Sequence, residues 1–232
     1  MDGLRAFDLG QTTPPAGPLN TVSQTFFSED GMMLFTTVKG DPPNNKTGFL
    51  SVFDVQRNGR QQATLSTKDV RSSPEGTAVL FGSALIPGSP SSLFVTDASF
   101  GAAVLSLNDK NQATVQGSQK IDGQAATCWA TVSDVTKTAY VTDVAKNRIV
   151  EMGLQDAKIV KQLDLSANGD PGLIDLRSAG NFIYALSPGN ENVTSAITVL
   201  DVSGGPGSMK QAQHFKLDGI ATSTAQGMAV LV

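Results

Sequence analysis

Runs rich in Val, Ile, Thr and Phe, with apolar positions recurring at every second residue, follow one another along the whole chain. A period of two marks a strand with two distinct faces, and no stretch carries a sustained helical period with caps. Four runs align: Leu34-Phe35-Thr36-Thr37-Val38, Leu93-Phe94-Val95-Thr96-Asp97, Ala139-Tyr140-Val141-Thr142-Asp143 and Phe182-Ile183-Tyr184-Ala185-Leu186. Each is followed after a polar loop by a run at 49–55, 103–107, 149–154 or 197–202, and then by another at 63–70, 113–121, 158–165 or 211–217. Each is preceded by an apolar run at 23–27, 78–86, 127–132 or 173–176. Ser28-Glu29-Asp30-Gly31 and Ser178-Ala179-Gly180-Asn181 supply turn residues between first and second runs; Pro42-Pro43-Asn44-Asn45 and Pro188-Gly189-Asn190 break the chain after the second. A four-stranded unit recurring every ~40–50 residues predicts an all-β chain, a β-propeller. Its four blades span roughly 21–72, 76–122, 125–167 and 172–219, with the first run of each innermost.

Two runs fall outside this frame. Residues 4–10 match the outer runs 160–166 and 214–219, and residues 226–232 read as an inner run with nothing after it. Unpaired strands need partners for their backbone groups. The expected partners are the remaining blades of a larger propeller or a second chain. The glycine-rich stretch 204–207 sits between a third and a fourth run with no helix after it, so it reads as a flexible hairpin tip and not as a phosphate cradle.

Composition narrows the chemistry. The chain of 232 residues has 17 Lys+Arg against 21 Asp+Glu, which leaves no basic footprint for nucleic acid. No apolar run is long enough to span a membrane as a helix. One cysteine, Cys128, and one histidine, His214, exclude an internal disulfide and a Cys/His zinc cluster. Cys128 lies in an apolar strand-like run and reads as a buried thiol, although a nucleophilic Cys–His pair is formally open. No Gly-x-Ser-x-Gly elbow occurs, and no motif implies a cofactor or a resident metal.

The candidate site residues come from loops and strand ends. Asp97 and Asp143 end equivalent Val-Thr-Asp runs; each either offers hard oxygens to a cation or holds the following turn. Asn168 and Asp170 sit in the loop joining two blades, where either a ligand contact or a tight turn fits. Arg71 is a cationic candidate for an anionic ligand, since a guanidinium grips a carboxylate through two bonds. The sequons at Asn45 and Asn192 fall in Gly/Pro/Asn-rich loops, open to glycosylation.

Four segments carry a family likeness: residues 7–15 (from Phe7-Asp8-Leu9-Gly10), 23–30 (from Ser23-Gln24-Thr25-Phe26), 95–103 (from Val95-Thr96-Asp97) and 164–175 (from Asp164-Leu165-Ser166). Over essentially its whole length the chain resembles the C-terminal portion of fungal 3-carboxymuconate cyclase-like proteins. The resemblance implies a seven-bladed, lactonase-type propeller that is secreted or wall-associated, with a small anionic or carbohydrate ligand. It implies a lactonising cyclase or a lactonase; the rival reading is a non-catalytic extracellular binding or surface protein that uses the channel or rim. The lactonising enzymes are described as using a His and Arg residues at the channel mouth; His214 falls in an outer run and does not match that position.

Overall fold

A computed structural model describes residues 6–15, 17–57 and 63–231. Its strands form four antiparallel meanders. The first sheet runs β1 (Val22–Phe27), β2 (Met33–Val38), β3 (Phe49–Arg57), β4 (Ala63–Leu65), with β5 (Val70–Ser72) also paired to β3. The second holds β6 (Leu80–Leu85), β7 (Ser92–Asp97), β8 (Gly101–Leu107) and β9 (Ala113–Lys120). The third holds β10 (Thr127–Ser133), β11 (Thr138–Asp143), β12 (Lys146–Gly153) and β13 (Ile159–Asp164). The fourth holds β14 (Asp175–Ala179), β15 (Phe182–Ser187), β16 (Ala196–Asp201) and β17 (Lys210–Lys216).

The period-two pattern explains how the sheets stack. On β7, Leu93 and Val95 face the first sheet and pack with Phe35, Leu50 and Val52. Phe94, between them, faces the other way and packs with Ala139, Val141 and Met152 of the third sheet. On β11 the alternation repeats: Tyr140 turns from that cluster to join Ile183, Ala185 and Leu200 of the fourth sheet. Successive sheets are thus glued face to face by separate apolar cores. Burying each large side chain contributes roughly 1.5–3 kcal/mol. The inner strands β1, β6, β10 and β14 neighbour one another in that order. Radially stacked four-stranded meanders with their first strands inward are the blades of a β-propeller.

Polar links reinforce the stack. Glu151 of β12 is fully buried; it accepts from the Thr138 hydroxyl at 2.9 Å and from the Gly207 N–H through both oxygens, at 3.1 and 3.0 Å. The 204–207 hairpin tip is therefore not the free loop that its glycines suggest. It is docked into the third blade, and Lys161 adds a bond to the Met209 carbonyl at 2.8 Å.

Two further features depart from the sequence expectation. The run at 63–70 becomes two short outer strands, because Ser66 and Lys68 loop out: the Ser66 hydroxyl donates to the Lys68 carbonyl at 2.6 Å, and Asp69 accepts from the Ser51 hydroxyl at 2.5 Å. The runs 4–10 and 226–232 do not form strands within the described residues, 6–10 and 226–231. Their local partners are side chains instead. Phe7 meets Phe53 edge-on at 4.6 Å, the Asp8 carbonyl accepts from Arg71, and the Met228 N–H donates to Asp175 at 2.8 Å.

Candidate functional site

The inner strands share an irregularity that builds the site. Register slips between Val22 and Gln24 on β1, between Leu80 and Ser83 on β6, and between Thr127 and Ala130 on β10. Each slip is a bulge, which bends the strand and re-aims the side chains within it. The residues freed from the ladder are Ser23, then Phe81 and Gly82, then Cys128 and Trp129. All but Gly82 line one cavity of about 480 Å³, with Val144, Ile174, Asp175, Arg177 and Gln226–Met228 completing its wall.

A bulge also frees backbone groups that must be satisfied. Threonines on the second strands do this. Thr96 accepts from the Gly82 N–H at 2.8 Å and donates to the Cys128 carbonyl on the next blade at 2.5 Å. Thr142 accepts from the Trp129 N–H at 3.0 Å, and Thr37 donates to the Phe81 carbonyl at 3.0 Å. Gly82 is required by crowding: a Cβ there would lie 2.7 Å from both the Cys128 carbonyl and the Trp129 Cα.

The cavity is lined by one arginine–aspartate pair and by aromatic rings. Phe81 and Trp129 meet edge to face, with centroids 6.4 Å apart. The Arg177 guanidinium carbon stands 5.7 Å from the Trp129 ring centroid. Its Nη1 pairs with Asp175 at 2.9 Å and donates to the Leu176 carbonyl at 2.9 Å. Among the described residues, its Nε and Nη2 have no partner, so one edge of the fork is open. Burial pushes the Asp175 carboxyl above its ordinary pKa, against the pull of the Met228 N–H, Arg177 and the Leu176 N–H. The Cys128 thiol donates weakly to the Ile174 carbonyl at 3.6 Å, and burial pushes its pKa up to about 12.

The residues singled out from sequence lie elsewhere. Asp97 is fully buried and accepts from the Ala78 N–H at 2.7 Å, the Val79 N–H at 3.1 Å and the Ser99 N–H at 2.9 Å. Asp143 accepts from the Ala125 and Ala126 N–H groups at 3.0 and 3.1 Å and pairs with Arg148 at 3.4 Å. Both carboxylates hold the loop that leads into their blade. Among the described residues, no three His, Cys, Asp or Glu side chains converge as a metal site. Arg71 is on β5, at the outer side of blade 1, paired with Asp69 at 2.7 Å and lying over the Phe49 ring. Asn168 accepts from Gln211 at 3.1 Å, and Asp170 faces His214 Nε2 at 3.1 Å, both toward the outer strand β17. Asn45 and Asn192 are exposed. The structure does not bring Arg71, the Asn168–Asp170 pair and the two buried aspartates together.

A larger cavity of about 630 Å³ opens among hairpin loops of blades 2 and 3. Its charged residues, Lys137 and Asp156, are already paired with Asp134 and Lys158. Of these two cavities, the axial one is lined by the Arg177 guanidinium.

No known protein family matches the sequence, and no curated protein matches it. Solved structures do match in fold. The periplasmic gluconolactonase PpgL of Pseudomonas aeruginosa superposes with a TM-score of 0.60 at 15% identity, over 84% of this chain and 57% of that one. Sqt1 of Saccharomyces cerevisiae gives a TM-score of 0.58 at 13% identity, over 84% of this chain and 50% of that one. A putative 6-phosphogluconolactonase from Bacteroides uniformis gives 0.51 at 15% identity, over 83% of this chain and 71% of that one. The chain spans about half the length of the first two. At these identities the likeness establishes the propeller fold.

Proposed function

We propose that the axial cavity binds a small anionic ligand, a carboxylate or the lactone that gives rise to one, and that the protein is a lactonase-like propeller. One observation carries the reading: Arg177, whose Nε and Nη2 have no hydrogen-bond partner among the described residues, lines a cavity walled by Trp129 and Phe81. A planar fork with free N–H groups takes a carboxylate through two parallel bonds. Aromatic walls add apolar contact for a ring or a carbon chain. The gluconolactonase names of two fold neighbours agree with this ligand class. So does the resemblance to carboxymuconate cyclase-like proteins, whose named substrate is rich in carboxylates. The exposed sequons at Asn45 and Asn192 support a secreted, glycosylated protein.

A second reading, binding without turnover, is favoured because no Cys–His or Ser–His pair lines the cavity among the described residues. Its one thiol is held protonated by burial, and the single histidine stands on an outer strand. Calorimetric titration with gluconate and with 3-carboxymuconate, beside turnover assays on δ-gluconolactone and 3-carboxymuconate, separates the two. Binding that weakens about tenfold or more in Arg177→Ala, as loss of a charge-assisted pair predicts, supports the site. Turnover lost in the same variant favours the enzyme; binding without turnover favours the second reading. If neither anion binds, or Arg177→Ala binds equally well, the site is wrong.

A further inference from the structure

One cation next to the axial cavity has no counter-charge among the described residues. Lys39 follows β2, and its backbone is fixed on two sides: its N–H donates to the Thr21 carbonyl at 2.9 Å, and it bridges to Val79 just before β6. Its side chain is therefore held at the seam of blades 1 and 2. It is 9% exposed, with Nζ 4.5 Å from the centroid of the Phe81 ring that lines the cavity. Among the described residues, Nζ has no hydrogen bond and no ion pair. Lysine is rarely buried without a partner. The contrast with Lys137, Lys158 and Lys210 is sharp: each has a side chain at least 66% exposed and paired with an aspartate.

Burial pulls the Lys39 pKa below the usual lysine range. A thiolate at Cys128 would oppose that shift, but the Cys128 thiol is itself held neutral up to about 12. A desolvated lysine beside a cavity presents more neutral amine at physiological pH than its surface counterparts, and neutral amine is the nucleophile.

We propose that Lys39 is a covalent acceptor site, acylated on Nζ by small lactones that reach the axial cavity. The choice of acyl donor rests on the ligand class proposed above. The amine nitrogen attacks the ring carbonyl carbon. A C–N bond forms and the ring C–O bond breaks. The departing ring oxygen takes up the proton that nitrogen loses, leaving a hydroxyacyl amide on Lys39. No electrons are exchanged with a third species and no atom is lost, so the protein gains the full mass of one lactone. The site also loses its positive charge, and anion binding weakens with it.

The test is peptide mass mapping after brief exposure to δ-gluconolactone at neutral pH, with trace acetic anhydride in a parallel sample. The expected result is acylation of Lys39 by both reagents at about ten times the rate of Lys137 or Lys158, or more. The lactone adduct is absent in Lys39→Arg, whose thermal melt reports that it folds. The comparison with Lys137 within the wild-type chain stands even if that variant does not fold. Acylation of Lys39 no faster than Lys137 by either reagent overturns the proposal. Selective acylation by the anhydride with none by the lactone upholds the reactive amine and overturns the lactone as its donor, which is a failure of the ligand reading and not of the amine.

Discussion

Blades 2 and 3 place an aspartate at the end of their second strand, whereas blade 4 has Ser187 there and an aspartate at the start of its first strand instead. The two placements have opposite consequences. Asp97 and Asp143 are surrounded by backbone N–H groups of the loop that enters their own blade, so their oxygens are consumed in fastening it. Asp175 sits on the inner strand itself, accepts from Arg177 and Met228, and lines the cavity. The inner strands differ in the same way. Those of blades 1 to 3 are bulged, with threonines holding the bulges of blades 2 and 3, while β14 keeps a continuous register with β15 and contributes the open cation, Arg177. Three blades shape the cavity and the fourth charges it.

The largest test of this division is Asp97→Ala. It leaves the N–H groups of buried Val79 and half-buried Ala78 without an acceptor, each costing about 1–3 kcal/mol, and frees that of exposed Ser99. Urea titration should show a loss of roughly 3 kcal/mol or more, and Asp143→Ala should behave alike. Asp175→Ala should cost less than about 1 kcal/mol, since it also removes a carboxylate that burial disfavours. Equal losses at Asp97 and Asp175 would erase the distinction.

Next in size are the hydroxyls that hold the bulges. Thr96→Val should destabilise by about 1–2 kcal/mol, and more than Thr142→Val, because only Thr96 also donates to the neighbouring blade. Thermal melts of the two variants side by side will show whether the inter-blade bond matters.

A smaller effect concerns pH. The folded pKa of Asp175 is raised, chiefly by burial, so the native state takes up its proton before the unfolded chain does. The cost of its charge is present above the folded pKa and is relieved as pH falls through it. Asp175→Asn should therefore melt higher than wild type at neutral pH, with the gap closing on acidification through that range. Asp69 runs the other way. Burial would raise its pKa, but the Ser51 hydroxyl and Arg71 outweigh it and hold it low, so its contribution is lost only as pH falls below the ordinary aspartate range. Melting Asp69→Asn over the same pH series should give a deficit at neutral pH.

The smallest effect is a silence. With a pKa of about 12, roughly one Cys128 thiol in ten thousand is ionised at pH 8. Iodoacetamide should leave it unmodified in the native protein and label it fully in denaturant; ready labelling in the native state would show that the inner strands open easily.

Much of the fold was legible in the sequence because both faces of a blade obey one rule. Leu93, Phe94 and Val95 announce a strand, and the repetition of Val-Thr-Asp fixes which strand. The site was far less legible. A bulge is a slip of register against a partner strand, and nothing in the run Phe81-Gly82 or Cys128-Trp129 records it. The available signals were small. Arg177 is a charged residue directly after the inner run 173–176, and Gly82 interrupts an otherwise substituted one. Arg71 looked equally cationic, and only pairing with β3 reveals that it belongs to the outer side of the blade. The glycine-rich tip at 204–207 carried no trace of its acceptor, because Glu151 is some fifty residues earlier and its burial depends on the third blade being complete.

That tip has a consequence for how the molecule comes apart. In tandem-repeat proteins each unit interacts only with its neighbours, and the chain can unzip one unit at a time. Here the backbone of one blade supplies the donors for a carboxylate sealed inside the blade before it. Peeling blade 4 away would break both of these bonds and the Lys161–Met209 bond at the same time as it exposes the apolar seam around Tyr140. The last two blades should consequently behave as a single cooperative unit in hydrogen exchange and under mechanical pulling, with the same opening free energy for amides on both sides of the seam.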